Sequence, residues 1–167
     1  CLFTFFLMTI YRYRMRSFSF SSLSSQFLEN KLHFWSCVPF HYGILAVTAG
    51  HLIAFLIPRS ILAWNGHPLR LYILEISALV CGLMTLIGLV ALIFRRGTTT
   101  RIRKVTSVND WILFGMLLVQ TASGVGIAIF HPWGSSWFAT NMSPYLWSIF
   151  KLNPDVSYVV AMPHLVK

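Results

Sequence analysis

Long apolar runs alternate along this chain with short polar, basic stretches, and the lengths of the runs say what they are. From Val38 to Ile57 there is no acidic residue, lysine or arginine, only two histidines. That run has the length of one membrane-crossing helix, which needs about 20 apolar residues to traverse a hydrocarbon layer of roughly 30 Å. A second run of this kind extends from about Leu71 to Phe94, with Glu75 near its start, and a third from Trp111 to Phe130, with Gln120 in its middle. Two more, Cys1 to about Tyr11 and Val156 to Val166, are too short to span. The pattern predicts an all-α integral membrane protein, with three complete transmembrane helices and a partial helix at each end, forming a single transmembrane domain over residues 1–167. The first residue is not Met and the last run stops at Lys167, so both flanking helices are expected to be cut short.

Composition agrees with a polytopic membrane protein. With 56% hydrophobic residues, 10% charged residues and a mean hydropathy of +0.69, the chain is too apolar for a soluble domain. The net charge of +9 is no nucleic-acid footprint, because it lies between the apolar runs rather than on a basic face. Arg12, Arg14, Arg16 and Lys31 precede the first spanning run, and Arg95, Arg96, Arg101, Arg103 and Lys104 follow the second. The alternate loops hold only Arg59 and Arg70, or Lys151. The positive-inside rule then puts the basic loops in the cytoplasm, beneath a plasma (inner) membrane, and the N-terminus outside. The outer stretch Pro132 to Phe150 carries Trp133, Trp137, Tyr145 and Trp147, which suits the headgroup layer of the lipid bilayer. The scattered Cys1, Cys37 and Cys81 form no C-x-x-C-H, zinc or disulfide pattern, and no dinucleotide or phosphate-loop fingerprint occurs. A secretory signal is a poor match to the N-terminus, whose basic cluster follows the apolar run instead of preceding it.

His41 and His51 are the residues that demand chemistry. They stand ten residues apart inside the first spanning run, where an ionisable side chain costs free energy. One explanation is a hydrogen bond to a neighbouring helix or carbonyl. The stronger one is that each neutral imidazole ligates a haem iron, at two depths separated by roughly 15 Å along the helix. Gly43, Ala46, Ala49 and Gly50 would leave room beside them for flat macrocycles.

Several motifs then carry a family resemblance. Ser24-Ser25-Gln26-x-Leu28, Phe40-His41-x-Gly43-Ile44-Leu45 with Gly50-His51, Arg95-Arg96, Arg101-Ile102-Arg103 ahead of Asp110, and Leu118-Val119-Gln120 together resemble the respiratory nitrate reductase gamma subunit, a membrane diheme cytochrome b. The likeness spans nearly the whole chain, with a short gap after Trp64. It implies a five-helix transmembrane bundle holding two haem b groups between its second and fifth helices. His41 resembles the ligand of the haem nearer the catalytic subunits and His51 that of the haem nearer the quinol site, so this chain offers one axial ligand to each. It departs from the family at its end: His164 falls short of the position of the first fifth-helix ligand, and the second is missing.

The resemblance further implies oxidation of a membrane quinol at the outer haem. Electrons would pass inward to an iron–sulfur beta subunit and a molybdenum alpha subunit on the cytoplasmic side, where nitrate is reduced. Arg95, Arg96 and Arg103 are topology signals first, and candidates to pair with haem propionates second. Arg70 stands where the family commonly has a lysine implicated in quinol binding, and reads equally as a snorkelling interfacial cation. His67 is a candidate proton relay, and Glu75 either an ion-pair partner of Arg70 or a proton acceptor. Asp110 reads as a helix N-terminal acid, Gln120 as an interhelical hydrogen-bonding group, and His33 and His131 as structural or solvated. Two rivals stay open: a quinone-linked b subunit of another molybdenum or sulfur oxidoreductase or of a nitrite-oxidising complex, and a haem-free membrane anchor.

Overall fold

Each spanning run folds as a helix that overshoots it. The computed structural model describes residues 31–160 together with Leu7, Met8, Ile10, Tyr11, Arg14 and Met15. In chain order the elements are α1 (Lys31–Leu56), α2 (Pro58–Asn65), α3 (Pro68–Thr98), α4 (Thr100–Val105), α5 (Val108–Phe130), α6 (Gly134–Trp137), a π-helical turn (Phe138–Met142), α7 (Ser143–Phe150) and α8 (Ser157–Val160). Among the described residues α1, α3 and α5 are long and apolar enough to cross a membrane. The expected partial first helix, the Ser24 to Leu28 motif, Arg12, Arg16 and the run beyond Val160 with His164 lie outside the described residues.

Helix ends follow local chemistry rather than hydropathy, which explains the overshoot. Pro58 and Pro68 stand at the first positions of α2 and α3, where a missing N–H costs nothing. Extended backbone at Thr99 and Thr106 breaks α3 from α4 and α4 from α5. Ser107 then caps α5 in a reciprocal box: its hydroxyl accepts from the Asp110 N–H at 3.2 Å while Asp110 Oδ2 accepts from the Ser107 N–H at 2.9 Å. Asp110 is thus the N-terminal acid that the sequence indicated. α1 runs straight through Pro39, which cannot donate to the Trp35 carbonyl, and carries the helix well ahead of Val38.

α3 is the middle helix, packed extensively on α1 and less so on α5. Two glycines allow the α1–α3 approach. A methyl at Gly43 would lie 2.7 Å from the Cys81 carbonyl oxygen, and one at Gly88 would lie 2.5 Å from the Phe40 nitrogen. Gly43 is therefore taken up by α3, and the room for a macrocycle expected there is absent; beside Gly50 there is nothing within 4 Å. A methyl at Gly82 would lie 3.3 Å from Cγ2 of Val125 on α5, so this glycine too keeps the neighbouring helix close. Elsewhere large apolar side chains face outward, Val119 being 72% and Ile87 65% exposed, as lipid-facing surfaces require.

The stretch Pro132 to Phe150, expected on the outer side, is built of short helices, which its Pro, Gly and Trp content did not predict. It folds over the end of α1 for an identifiable reason. Residue 58 would normally donate its N–H to the Ala54 carbonyl, and as a proline it has none. The fully buried Ser143 hydroxyl donates to that carbonyl instead, at 2.9 Å, and the Trp147 indole N–H donates to the Phe55 carbonyl at 3.0 Å. The indole also stacks on Phe55, with centroids 5.2 Å apart.

Candidate functional site

His41 and His51 both project from the surface of α1 and are exposed. Ten residues of ideal helix put them roughly 15 Å apart along the axis and about 80° apart around it. Each ring is locked in the same way. His41 Nδ1 lies 2.7 Å from the Cys37 carbonyl oxygen and His51 Nδ1 lies 2.8 Å from that of Val47, one turn earlier. A carbonyl oxygen only accepts, so Nδ1 carries the proton and donates. In the neutral ring the lone pair is then on Nε2, the tautomer that a metal-ligating histidine adopts when its other nitrogen is held by a carbonyl. Cys37 Sγ shares the His41 interaction at 3.2 Å. Aromatic rings stand edge-on to both imidazoles: Phe40 to His41 at 5.2 Å, and Phe138 of the π-helical turn to His51 at 5.5 Å.

These residues fit haem. A porphyrin supplies the equatorial nitrogens itself and asks the protein only for axial donors on open helix faces, which His41 and His51 offer. Among the described residues no group of three or more His, Cys, Asp or Glu side chains converges as a conventional metal centre would require.

Around the junction of α3 and α4 the three candidate arginines are not brought together. Arg95 is 2% exposed. Arg96 turns toward α5, donating to Thr106 Oγ1 at 3.3 Å, lying 3.7 Å from Asp110 Oδ2 and resting over the Phe114 ring at 5.0 Å. Arg103 is exposed on α4. Arg96 thus ties the end of α3 to the start of α5, a structural role beside any other.

At the other end of α3 Arg70 rests over the Trp64 ring, 5.7 Å from its centre, and the Trp64 indole N–H donates to the Arg70 carbonyl at 3.1 Å. His67 is the exposed residue just before α3. Glu75 does not pair with Arg70. Five residues rotate a helix by about 140° beyond a full turn, so the two side chains point apart. Glu75 instead accepts the Ser135 hydroxyl proton at 3.2 Å and the Trp133 backbone N–H at 3.3 Å. The Asn65 amide donates to Ser135 and Ser136 at 3.0 and 2.9 Å, which completes a polar patch joining α2, α3 and the outer stretch.

Phe138, Ser143 and Ser135 escaped the reading of the sequence, and Trp147 was read only as one aromatic of a headgroup-layer stretch. The one available signal was Pro58, which announces an orphaned carbonyl on α1 without naming its donor.

The whole chain, residues 1–167, matches the family model described as nitrate reductase gamma subunit. It is 32% identical over 157 residues to the nitrate reductase gamma chain of Bacillus subtilis, covering 92% of this chain and 70% of that protein. With the respiratory nitrate reductase 2 gamma chain of Escherichia coli it shares 34% identity over 143 residues, 81% of this chain and 62% of the relative. The nitrate reductase-like protein NarX of Mycobacterium tuberculosis is 34% identical over 118 residues, which span 18% of its length.

Proposed function

The chain belongs to the nitrate reductase gamma subunit family, and from that premise we propose that it is the quinol-oxidising, diheme cytochrome b part of a membrane-anchored nitrate reductase. The observation that carries this reading is the matched state of His41 and His51, each with Nδ1 bound to the carbonyl one turn earlier and Nε2 left to bind a metal. Haem b bound at each position supplies a one-electron redox centre. The protein's residues do the rest.

His41 holds the inner position and His51 the outer, so the two lie at different depths in one helix. The Nδ1–H to carbonyl bonds raise the basicity of Nε2 and fix each ring's rotation, the usual second half of a histidine ligand site. Of the three arginines expected to meet propionates, Arg103 is the exposed cation open to one, Arg95 being buried and Arg96 already facing Asp110. Arg70 would donate a hydrogen bond to a quinol oxygen, and the exposed His67 would stand beside it at the outer end, where protons leave toward water, while Glu75, expected from the resemblance at the quinol site, has both carboxylate oxygens taken up by Trp133 and Ser135. Quinol gives up two electrons and two protons. In this reading the electrons pass inward to an iron–sulfur beta subunit and on to a molybdenum alpha subunit in the cytoplasm. The protons leave on the outer side of the plasma membrane, where the N-terminus also lies.

His51→Ala in the full-length gene tests the assignment. Reduced-minus-oxidised spectra of membranes should lose the outer b-type contribution, and quinol oxidation should stop, while the catalytic subunits still assemble. Unchanged quinol turnover, or no b-type bands in the unaltered protein, overturns it.

A further inference from the structure

Glu75 is one of four acidic residues in the chain and stands near the start of a helix otherwise rich in apolar residues. Both of its carboxylate oxygens are engaged, and by the same short segment. Oε2 accepts the Trp133 N–H and Oε1 accepts the Ser135 hydroxyl. Asn65 reinforces the hold by donating to Ser135 and Ser136. Within one helical turn of these anchors comes Phe138, whose ring stands edge-on to His51 at 5.5 Å and 83°. Beyond Phe138 the chain is pinned again, by Ser143 to the Ala54 carbonyl and by Trp147 to that of Phe55.

The second pair of anchors belongs to α1, the helix of His51 itself. The first pair belongs to α2 and α3. Without it, the side-chain hydrogen bonds among the described residues that tie this part of the chain to other helices would all lie downstream of Phe138, and Trp133 would have to keep its left-handed backbone, φ 71°, without the carboxylate that accepts its N–H.

We propose that Glu75 is a positioning residue for His51: it ties the segment Trp133–Phe138 to α3 and so holds the Phe138 ring against the imidazole. This rests on the reading of His51 as the outer haem ligand. The His51 ring has two torsions. The Nδ1–H bond to the Val47 carbonyl restrains it, and the Phe138 ring, set across it with centroids 5.5 Å apart, limits its swing. Ring orientation and the surroundings of an axial ligand tune the potential of the iron it binds, so loosening Phe138 changes that potential.

A tether and a proton acceptor make opposite demands on residue 75. Glutamine keeps both contacts, its carbonyl accepting the Trp133 N–H and its amide donating to the Ser135 oxygen, but it carries no proton away. The test compares Glu75→Ala, Glu75→Gln and Phe138→Leu in the full-length protein within its complex, by redox titration and by electron paramagnetic resonance of the two b haems. Glu75→Ala and Phe138→Leu should shift the midpoint potential and the resonance of the outer haem while leaving the inner haem as it was; Glu75→Gln should stay close to the unaltered protein. An outer haem unmoved in both Glu75→Ala and Phe138→Leu overturns the tether, as does Glu75→Gln behaving like Glu75→Ala. If Glu75→Ala does not assemble, Phe138→Leu and Glu75→Gln decide. Two b-type centres in the unaltered protein mean that any such failure belongs to the tether alone; their absence removes the haem reading beneath it.

Discussion

Replacing Gly88 by alanine should force α1 and α3 apart at the level of His41. The added methyl carbon would lie 2.5 Å from the Phe40 nitrogen, 2.8 Å from its Cα and 2.9 Å from its Cβ. Carbon atoms in comfortable contact stand about 3.5–4.0 Å apart, so the helices must separate by roughly 1 Å. Two of the three atoms are backbone, so no change of rotamer relieves the clash. Overpacking of this sort typically costs about 1–3 kcal/mol. Against it stands the better helix propensity of alanine, worth about 1 kcal/mol over glycine. Gly115→Ala isolates that second contribution, because nothing lies within 4 Å of the methyl it would add. Thermal unfolding of the purified protein in detergent, followed by circular dichroism, should give a lower Tm for Gly88→Ala and an equal or higher one for Gly115→Ala. Phe40 adjoins His41, so Gly88→Ala should also disturb the inner b-type band more than the outer. Equal stability of the two variants would refute the close approach of α1 and α3.

Two other perturbations test the joints of the structure. Ser143→Ala leaves the Ala54 carbonyl without a donor in a buried setting, a loss of about 1–3 kcal/mol that should appear as faster proteolysis of the outer stretch; a cleavage rate equal to that of the unaltered protein would mean that another group caps this carbonyl. Ser107→Ala removes the α5 cap, costing about 1 kcal/mol, and should speed hydrogen exchange at the first-turn amides of α5, Asp110 among them, while those near Gln120 keep their protection. Uniform acceleration along α5 would contradict a local cap.

Much of this was legible before any coordinates. The three spanning helices follow from uninterrupted apolar length, and the tilt of charge toward alternate loops follows from where arginine and lysine were spared. Asp110 three residues after Ser107 is a capping signature readable from spacing alone. Hydropathy misplaced the ends, since a helix continues into polar surroundings until a proline, a cap or extended backbone stops it: α3 begins at Pro68 and not at Leu71. Gly43 illustrates the deeper difficulty. A small residue beside a histidine reads equally as space for a cofactor or as space for a neighbouring helix, and the Cys81–Thr85 backbone of α3 took it. Glu75 is a similar case, because the spacing to Arg70 suggested a pair that helix rotation forbids.

Local chemistry therefore decided the all-α membrane class, the three long apolar helices among the described residues and the spacing of the two histidines along one of them, since each depends on neighbours along the chain. Which nitrogen each imidazole exposes is also local, being set by the carbonyl one turn behind. What packs beside His51 is not. The carbonyls freed near Pro58 find their donors 89 and 92 residues later, and the Glu75 carboxylate meets partners 58 and 60 residues away. Contacts at such separations exist only once the helices have packed, because an orphaned acceptor states a need without specifying which distant group will meet it.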